Sequence, residues 1–446
     1  MKLRKAMAAV MAAAISFAFV GCDINDLSSD NLLRPPKTMG DEAEIEQLIA
    51  QTANEDYTLK YPKSGNYRSA IIMQDLDGDG KEEAIAFYRK GKDVTKLHML
   101  VMYSADDRWK LSDDFVTETT DVDCVDFANI SGDDATEILV GFNTYTPNSN
   151  FLTCYSYSGG KTTEIKSGQN YSNFYCGDFN ADGSQEIMTL SLFSAEIEAN
   201  ATMIVYDREK NMLTSKATVA MDPNVIRIKN AAVTKLDENL QGVVVDGTFS
   251  DNQTNTQIIY YNKELSILRN PLYKENSKSF TQRKCNIISA DIDDDSIFEI
   301  PSVQALPRPE NLSEENVADI VTWSKFHSDD ESVLPQVKIV PYYDYLFSFS
   351  VPSTWKDGTF TAVIDSANSL ITFYDCNKES LGDRLFEIKV FDAAQWDKGQ
   401  NNDDYTLIYK DNRYAYTFNN YNSSGEHSLT DDEIKTAFSV LTEVAD

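Results

Sequence analysis

The apolar residues of this chain fall in short runs separated by polar, turn-rich stretches. Ala70 to Met73, Ala84 to Tyr88, Leu97 to Tyr103, Phe151 to Tyr157 and Thr202 to Tyr206 are too short for helices. They are rich in β-branched and aromatic residues and bounded by turn signals, so the pattern predicts strands. Shorter runs at Trp109 to Leu111, Thr162 to Ile165 and Met212 to Ala217 predict a further strand after each of the last three. Two segments show helical spacing instead. Asp41 to Gln51 places Ile45, Leu48 and Ile49 on one face behind an acidic first turn, which the helix dipole favours. Near the end, Thr430 to Glu433 reads as a capping box, Leu429 and Ile434 are placed for a hydrophobic staple, and Ile434, Phe438 and Leu441 form an inner face.

One loop recurs between the predicted strands. Asp75-Leu-Asp77-Gly-Asp79-Gly80-Lys81-Glu-Glu83 is echoed by Asp178-Phe-Asn180-Ala-Asp182-Gly183-Ser-Gln-Glu186 and by Asp291-Ile-Asp293-Asp-Asp295-Ser296-Ile-Phe-Glu299. A weaker copy is Asn129-Ile-Ser131-Gly-Asp133-Asp134-Ala-Thr-Glu137, and Lys235-Leu-Asp237-Glu-Asn239 keeps the loop-then-strand rhythm without the acidic pattern. The spacing gives five repeats of roughly 50 to 57 residues. Four strands per unit of this length describe a propeller blade. The predicted fold is therefore mainly β: a β-propeller of about five four-stranded blades over residues 67–340, preceded by a helix and lead-in over 41–66. From 341 to 446 the rhythm stops. Strand-like runs at 345–351, 360–364, 370–374, 385–391, 405–409 and 414–418, closed by the capped helix, predict a small α+β domain.

Oxygen side chains at the first, third, fifth and ninth positions of such a loop, with a main-chain carbonyl between the last two, can wrap a hard cation. A residue tolerant of left-handed backbone at the sixth makes the sharp turn. All-oxygen ligands on a flexible loop favour calcium. Asp75/Asp77/Asp79/Glu83, with Lys81 at the carbonyl position, and Asp291/Asp293/Asp295/Glu299 each offer four carboxylates. Asp178/Asn180/Asp182/Glu186 offers three, and Asn129/Ser131/Asp133/Glu137 two. An EF-hand would end twelve residues on in a Glu and lie between helices. The twelfth positions of the three fuller loops are Ala86, Thr189 and Ser302, and strands flank them.

These loops, each between strands, resemble the FG-GAP/VCBS repeats of integrin-α-like β-propellers. The resemblance covers about residues 67 to 340 and implies structural calcium held by the three fuller loops. Asn129 and Ser131 depart from the pattern, and nothing carries over to the region around Asp237.

The formal charge is −31, from 40 basic and 71 acidic residues. Such a chain lacks the basic face that nucleic acid requires. With 42% hydrophobic and 11% aromatic residues it has enough apolar surface for a core. At the start, Lys2, Arg4 and Lys5 precede the apolar run Ala6 to Val20, a secretory pattern. Phe19-Val20-Gly21-Cys22 resembles the lipobox of a bacterial lipoprotein precursor. The resemblance implies a signal peptide over 1–21, lipid on Cys22, a polar tether over 22–40 and a protein held on the extracellular face of the cell membrane.

The remaining cysteines, at 124, 154, 176, 285 and 376, match no disulfide framework or zinc spacing. Nucleophile elbow, phosphate loop and metalloprotease helix are missing. His98, His327 and His427 read as surface residues, and Trp109, Trp323 and Trp355 as packing residues. No catalytic residue is assigned. The chain reads as a binding module for an extracellular glycan or protein, with a secreted carbohydrate-active enzyme and a purely structural envelope protein as alternatives.

Overall fold

The computed structural model describes residues 40–441 except 55, 120, 134, 145–149, 196, 237–239, 285–286, 311, 378–379, 400–403 and 422–423. The expected signal peptide, Cys22, most of the expected tether, Asp134, Asp237, Asn239 and Cys285 lie outside the described residues.

The chain is mainly β, built from successive antiparallel meanders. In the first sheet β1 (Tyr57–Lys60) and β2 (Ile71–Gln74) both pair with β3 (Glu83–Lys90), followed by β4 (Lys96–Ala105) and β5 (Arg108–Glu118). The second is β6 (Asp121–Ala128), β7 (Glu137–Asn143), β8 (Asn150–Ser158) and β9 (Lys161–Tyr171). The third is β10 (Asn173–Gly177), β11 (Glu186–Ser191), β12 (Asn200–Asp207) and β13 (Met212–Ala220), and a parallel pair between Met212 of β13 and Lys166 of β9 joins the second and third into one eight-stranded sheet. The fourth is β14 (Val225–Lys235), β15 (Gln241–Phe249), β16 (Thr254–Asn262) and β17 (Ile267–Arg269). In the fifth the first strand is reduced to the bridge between Ala290 and Glu299, and β18 (Ile300–Ala305), β19 (Asp319–His327) and β20 (Ser332–Tyr342) follow.

Alternation along each strand sends one set of side chains to each neighbouring sheet. Ile85, Phe87 and Met99 meet Val125, Ile138 and Tyr155 of the second sheet. Leu139 and Leu152 meet Ile187 and Ile204 of the third, and Met188 and Met203 meet Val243 and Ile259 of the fourth. Val244 and Ile258 turn the other way, onto Ile300 and Phe326 of the fifth. The far face of the first sheet, with Ala84, Ala86, Tyr88 and Met102, is covered by Ile45 and Ile49 of α1 (Asp41–Ala53). Among the described residues, no apolar cluster joins the fifth sheet to the first.

The C-terminal unit is a sheet of β22 (Phe360–Asp365), β23 (Leu370–Cys376), β24 (Leu381–Asp392), β25 (Thr406–Lys410) and β26 (Tyr414–Asn420), with α2 (Ala393–Asp397) and α3 (Asp431–Ala437). The capping box at Thr430 and Glu433 is present. Two expectations shift. The run at 345–351 supplies β21 (Phe347–Ser350), which extends the fifth sheet beside β20. The helix ends at Ala437, so Phe438 instead opens β27 (Phe438–Val440), paired with β21. Phe347, Phe349 and Phe438 then share a core with Trp355, Phe373 and Phe386, a long-range constraint that overrides helical spacing. Among the described residues no helix is long and apolar enough to cross a membrane.

Candidate metal centre

Each acidic loop lies just before the strand that opens its sheet's hairpin: 75–82 before β3, 129–136 before β7, 178–185 before β11 and 291–298 ahead of β18. The loops share one hydrogen-bond plan. The ninth-position Glu accepts the N–H of the second residue: Glu83 from Leu76 at 3.0 Å, Glu137 from Ile130 at 2.7 Å, Glu186 from Phe179 at 2.9 Å and Glu299 from Ile292 at 2.9 Å. The first-position Asp accepts from the sixth: Asp75 from Gly80 at 3.0 Å, Asp178 from Gly183 at 3.0 Å and Asp291 from Ser296 at 2.8 Å. The sixth residue has φ of 85° at Gly80, 93° at Gly183 and 70° at Ser296, the left-handed turn expected there. Lys81, expected to offer its carbonyl, sits at the seventh position with its N–H donating to Asp79 at 2.8 Å.

The loops also touch one another. Thr136 N–H donates to the Leu76 carbonyl at 2.8 Å, and Gln185 N–H donates to the Asn129 carbonyl at 2.8 Å, which sets the first three side by side along one edge of the sheets.

The plan brings Asp75, Asp77 and Glu83 together, and likewise Asp178, Asp182 and Glu186, with ligand atoms within 4.8 Å of one another in each group. Burial pushes the Glu83 carboxyl up to about 7, and Asp77, Asp79 and Asp75 push the same way. Burial, then Asp182, pushes Glu186 up to about 8. Both loops therefore hold more negative charge than their surroundings accommodate, which a cation relieves. In the third loop Asn180 Oδ1 is buried without a hydrogen-bond partner. These two loops fit calcium.

The other two are compensated differently. In the second loop the Ser131 hydroxyl is hydrogen-bonded to Asp133, and Arg208 donates to the Ser131 carbonyl at 2.6 Å. In the fifth, Asp291, Asp293 and Asp295 also converge, but the Lys325 ammonium lies among the acidic side chains, 2.9 Å from Asp293 and 3.2 Å from Glu299.

Elsewhere, two histidines expected at the surface are buried against carboxylates. His98 Nδ1 lies 2.9 Å from Asp114 Oδ1 and stacks on Tyr88. His427 Nδ1 meets Asp375 Oδ1 at 2.5 Å, and Nε2 lies 2.9 Å from Thr359 Oγ1. Their partners come from other strands, so local polarity misread them. Thr359 Oγ1 itself donates to the Lys356 carbonyl at 2.6 Å, a turn-forming role rather than that of a nucleophile. Cys154 and Cys376 are buried and Cys124 and Cys176 partly so, all as free thiols; burial pushes Cys124 up to about 12, so it stays unreactive. Trp355 is buried in the C-terminal core.

A cleft of about 590 Å³ opens between residues 271–280 and the fifth sheet, lined by Ser277, Ser279, Ser302, Gln304 and Thr322, with Phe280 half exposed. Its two carboxylates are already engaged. Glu331 accepts from Arg269 at 2.7 Å, and Asp357 accepts from Lys338.

No family model matches the chain, and no curated protein matches it. Among solved structures it is similar to Saccharomyces cerevisiae Sqt1 at 9% identity and a TM-score of 0.32, covering 70% of this chain and 83% of that one. The exotype rhamnogalacturonan lyase YesX gives 12% identity and a TM-score of 0.29, with 75% and 74% covered. The Dos1 propeller gives 11% and 0.30, with 74% and 73% covered. At such low values the likeness carries no argument about activity or ligand.

Proposed function

We propose that this chain is a lipid-anchored, extracellular binding module: five propeller-type blades stiffened by calcium, followed by a small C-terminal domain and tethered to the bacterial cell membrane through Cys22. The observation that carries the reading is the pair of loops at 75–83 and 178–186, where acidic side chains at calcium-ligand spacing converge with their ligand atoms within 4.8 Å of one another. Sites of this kind suit the calcium-rich exterior of a cell, as does the lipobox at Phe19 to Cys22.

The ligand site in this reading is the cleft beside Phe280, and the ligand is a glycan. Hydroxyl and amide groups supply hydrogen bonds to sugar hydroxyls, and an exposed ring supplies a stacking face. Because Glu331 and Asp357 are held in ion pairs, neither is poised as a general acid, which favours binding over hydrolysis.

Thermal unfolding with calcium and with chelator tests the metal. A cation bound only by the native state raises the midpoint, and equal midpoints overturn the calcium reading. A glycan array probed with the full chain and with Phe280→Ala tests the ligand. Binding lost in the variant upholds the cleft, and binding by neither chain overturns the glycan reading.

A further inference from the structure

We propose that the fifth acidic loop takes its cation from the chain itself: Lys325 of β19 fills the place that calcium takes in the first and third loops, so the folded protein binds two calcium ions rather than three. The inference rests on the calcium reading above and corrects the ranking by carboxylate count, which places this loop level with the first.

The Lys325 ammonium meets the third, fifth and ninth positions of the loop. It lies 2.9 Å from Asp293 and 3.2 Å from Glu299, it is hydrogen-bonded to Asp295, and the side chain is only 15% exposed. Two of its donors go to Asp293 and Asp295, and Glu299 Oε1, buried without a hydrogen bond, faces the charge at ion-pair distance. The remaining carboxylate, Asp291, is taken by the N–H groups of Asp295 and Ser296 at 3.1 and 2.8 Å.

Strand register shows that this is a property of one sheet. Ala84 pairs with Met102, Ile138 with Tyr155, Ile187 with Ile204 and Ile300 with Ser324. One residue further on, opposite the final Glu of each loop, stand Tyr103, Ser156, Val205 and Lys325. Only the fifth sheet places a cation there. A tethered ammonium is always present at its site, whereas a dissolved ion must displace it to bind. A basic side chain reaches a loop carbonyl in both the second loop, where Arg208 meets Ser131, and the third, where Lys263 meets Ala181 at 3.4 Å, so it is the second loop's two carboxylates against three that leave the first and third as the calcium loops.

The test is a calorimetric calcium titration of the full chain freed of divalent ions, beside Lys325→Val, which restores the residue of the third sheet, and Asp293→Asn. Two sites are expected in the unaltered chain, two in Asp293→Asn and three in Lys325→Val. In calcium-free buffer Lys325→Val melts below the unaltered chain and recovers with calcium. Three sites in the unaltered chain, falling to two in Asp293→Asn, overturn the inference and leave the calcium reading standing. This comparison holds even where Lys325→Val fails to fold. If no chain binds calcium, the calcium reading falls, and the calcium-free melts then decide: an unchanged midpoint in Lys325→Val overturns the tethered cation, and a lowered one upholds it.

Discussion

Arg283 Nη2 lies 2.8 Å from Asp246 Oδ1, and neither side chain has any exposed surface. Asp246 also accepts from Thr256 at 2.6 Å and from the Ser289 N–H at 2.7 Å, while Arg283 Nε donates to the Ile287 carbonyl at 2.7 Å. The network ties β15 and β16 to the segment leading into the fifth sheet. Removing one partner strands a buried charge, so Asp246→Ala is expected to cost about 3–5 kcal/mol. Urea unfolding measures it. A loss under about 1 kcal/mol would show that Arg283 finds other partners or reaches water.

Gly141 is required by its neighbour Tyr171. A Cβ at this position in β7 would stand 1.8 Å from the Tyr171 hydroxyl, which is buried and donates to Asp123 at 2.8 Å. Gly141→Ala must therefore push the ring off its hydrogen bond, a cost of about 1–3 kcal/mol. Pairing it with Tyr171→Phe relieves most of the clash, and a double-mutant cycle in urea shows the coupling. Strictly additive effects would disprove the contact.

Ser296 holds a φ of 70° at the sixth position of the fifth loop, where the first and third loops have glycine. Relief of left-handed strain makes Ser296→Gly stabilising by up to about 1 kcal/mol. A lowered melting midpoint would mean that the serine side chain supports the loop in a way its backbone does not.

Glu83 at about 7 and Glu186 at about 8 lie above their ordinary value of 4.5. Between 4.5 and these values the calcium-free folded chain keeps protons that the unfolded chain has released. The two groups therefore favour folding at low pH and lose that contribution as pH rises through 7 and 8. In the proposed calcium reading the ion takes the place of those protons. The rise in melting midpoint on adding calcium is thus expected to be larger at pH 8 than at pH 5.5, and equal rises at the two values would contradict it.

The repeat was legible because each loop writes its acidic pattern within nine consecutive residues, and strands flank every copy. The meanders followed from short apolar runs for the same local reason. What the sequence hid lies across strands. Lys325 is 26 residues beyond Glu299 in the chain yet opposite it in the sheet, so counting carboxylates alone overrated the fifth loop. His98 and His427 looked superficial because their carboxylate partners, Asp114 and Asp375, come from separate strands. Phe438 fitted a helical face until β21 offered it a pairing edge.

That edge has a further consequence. β21 leads the chain out of the fifth sheet and β27 brings it back, with Phe347 opposite Val440 and Phe349 opposite Phe438. Residues 351–437 are thus a closed excursion whose two ends are stitched to each other. The stitch shortens the loop that the C-terminal unit must close, which lowers the entropic cost of folding it. Its three residue pairs add to the shared core and to the Ala318–Ala362 and Val317–Val363 contacts, so trimming the chain before Phe438 would loosen the coupling between the two units rather than abolish it.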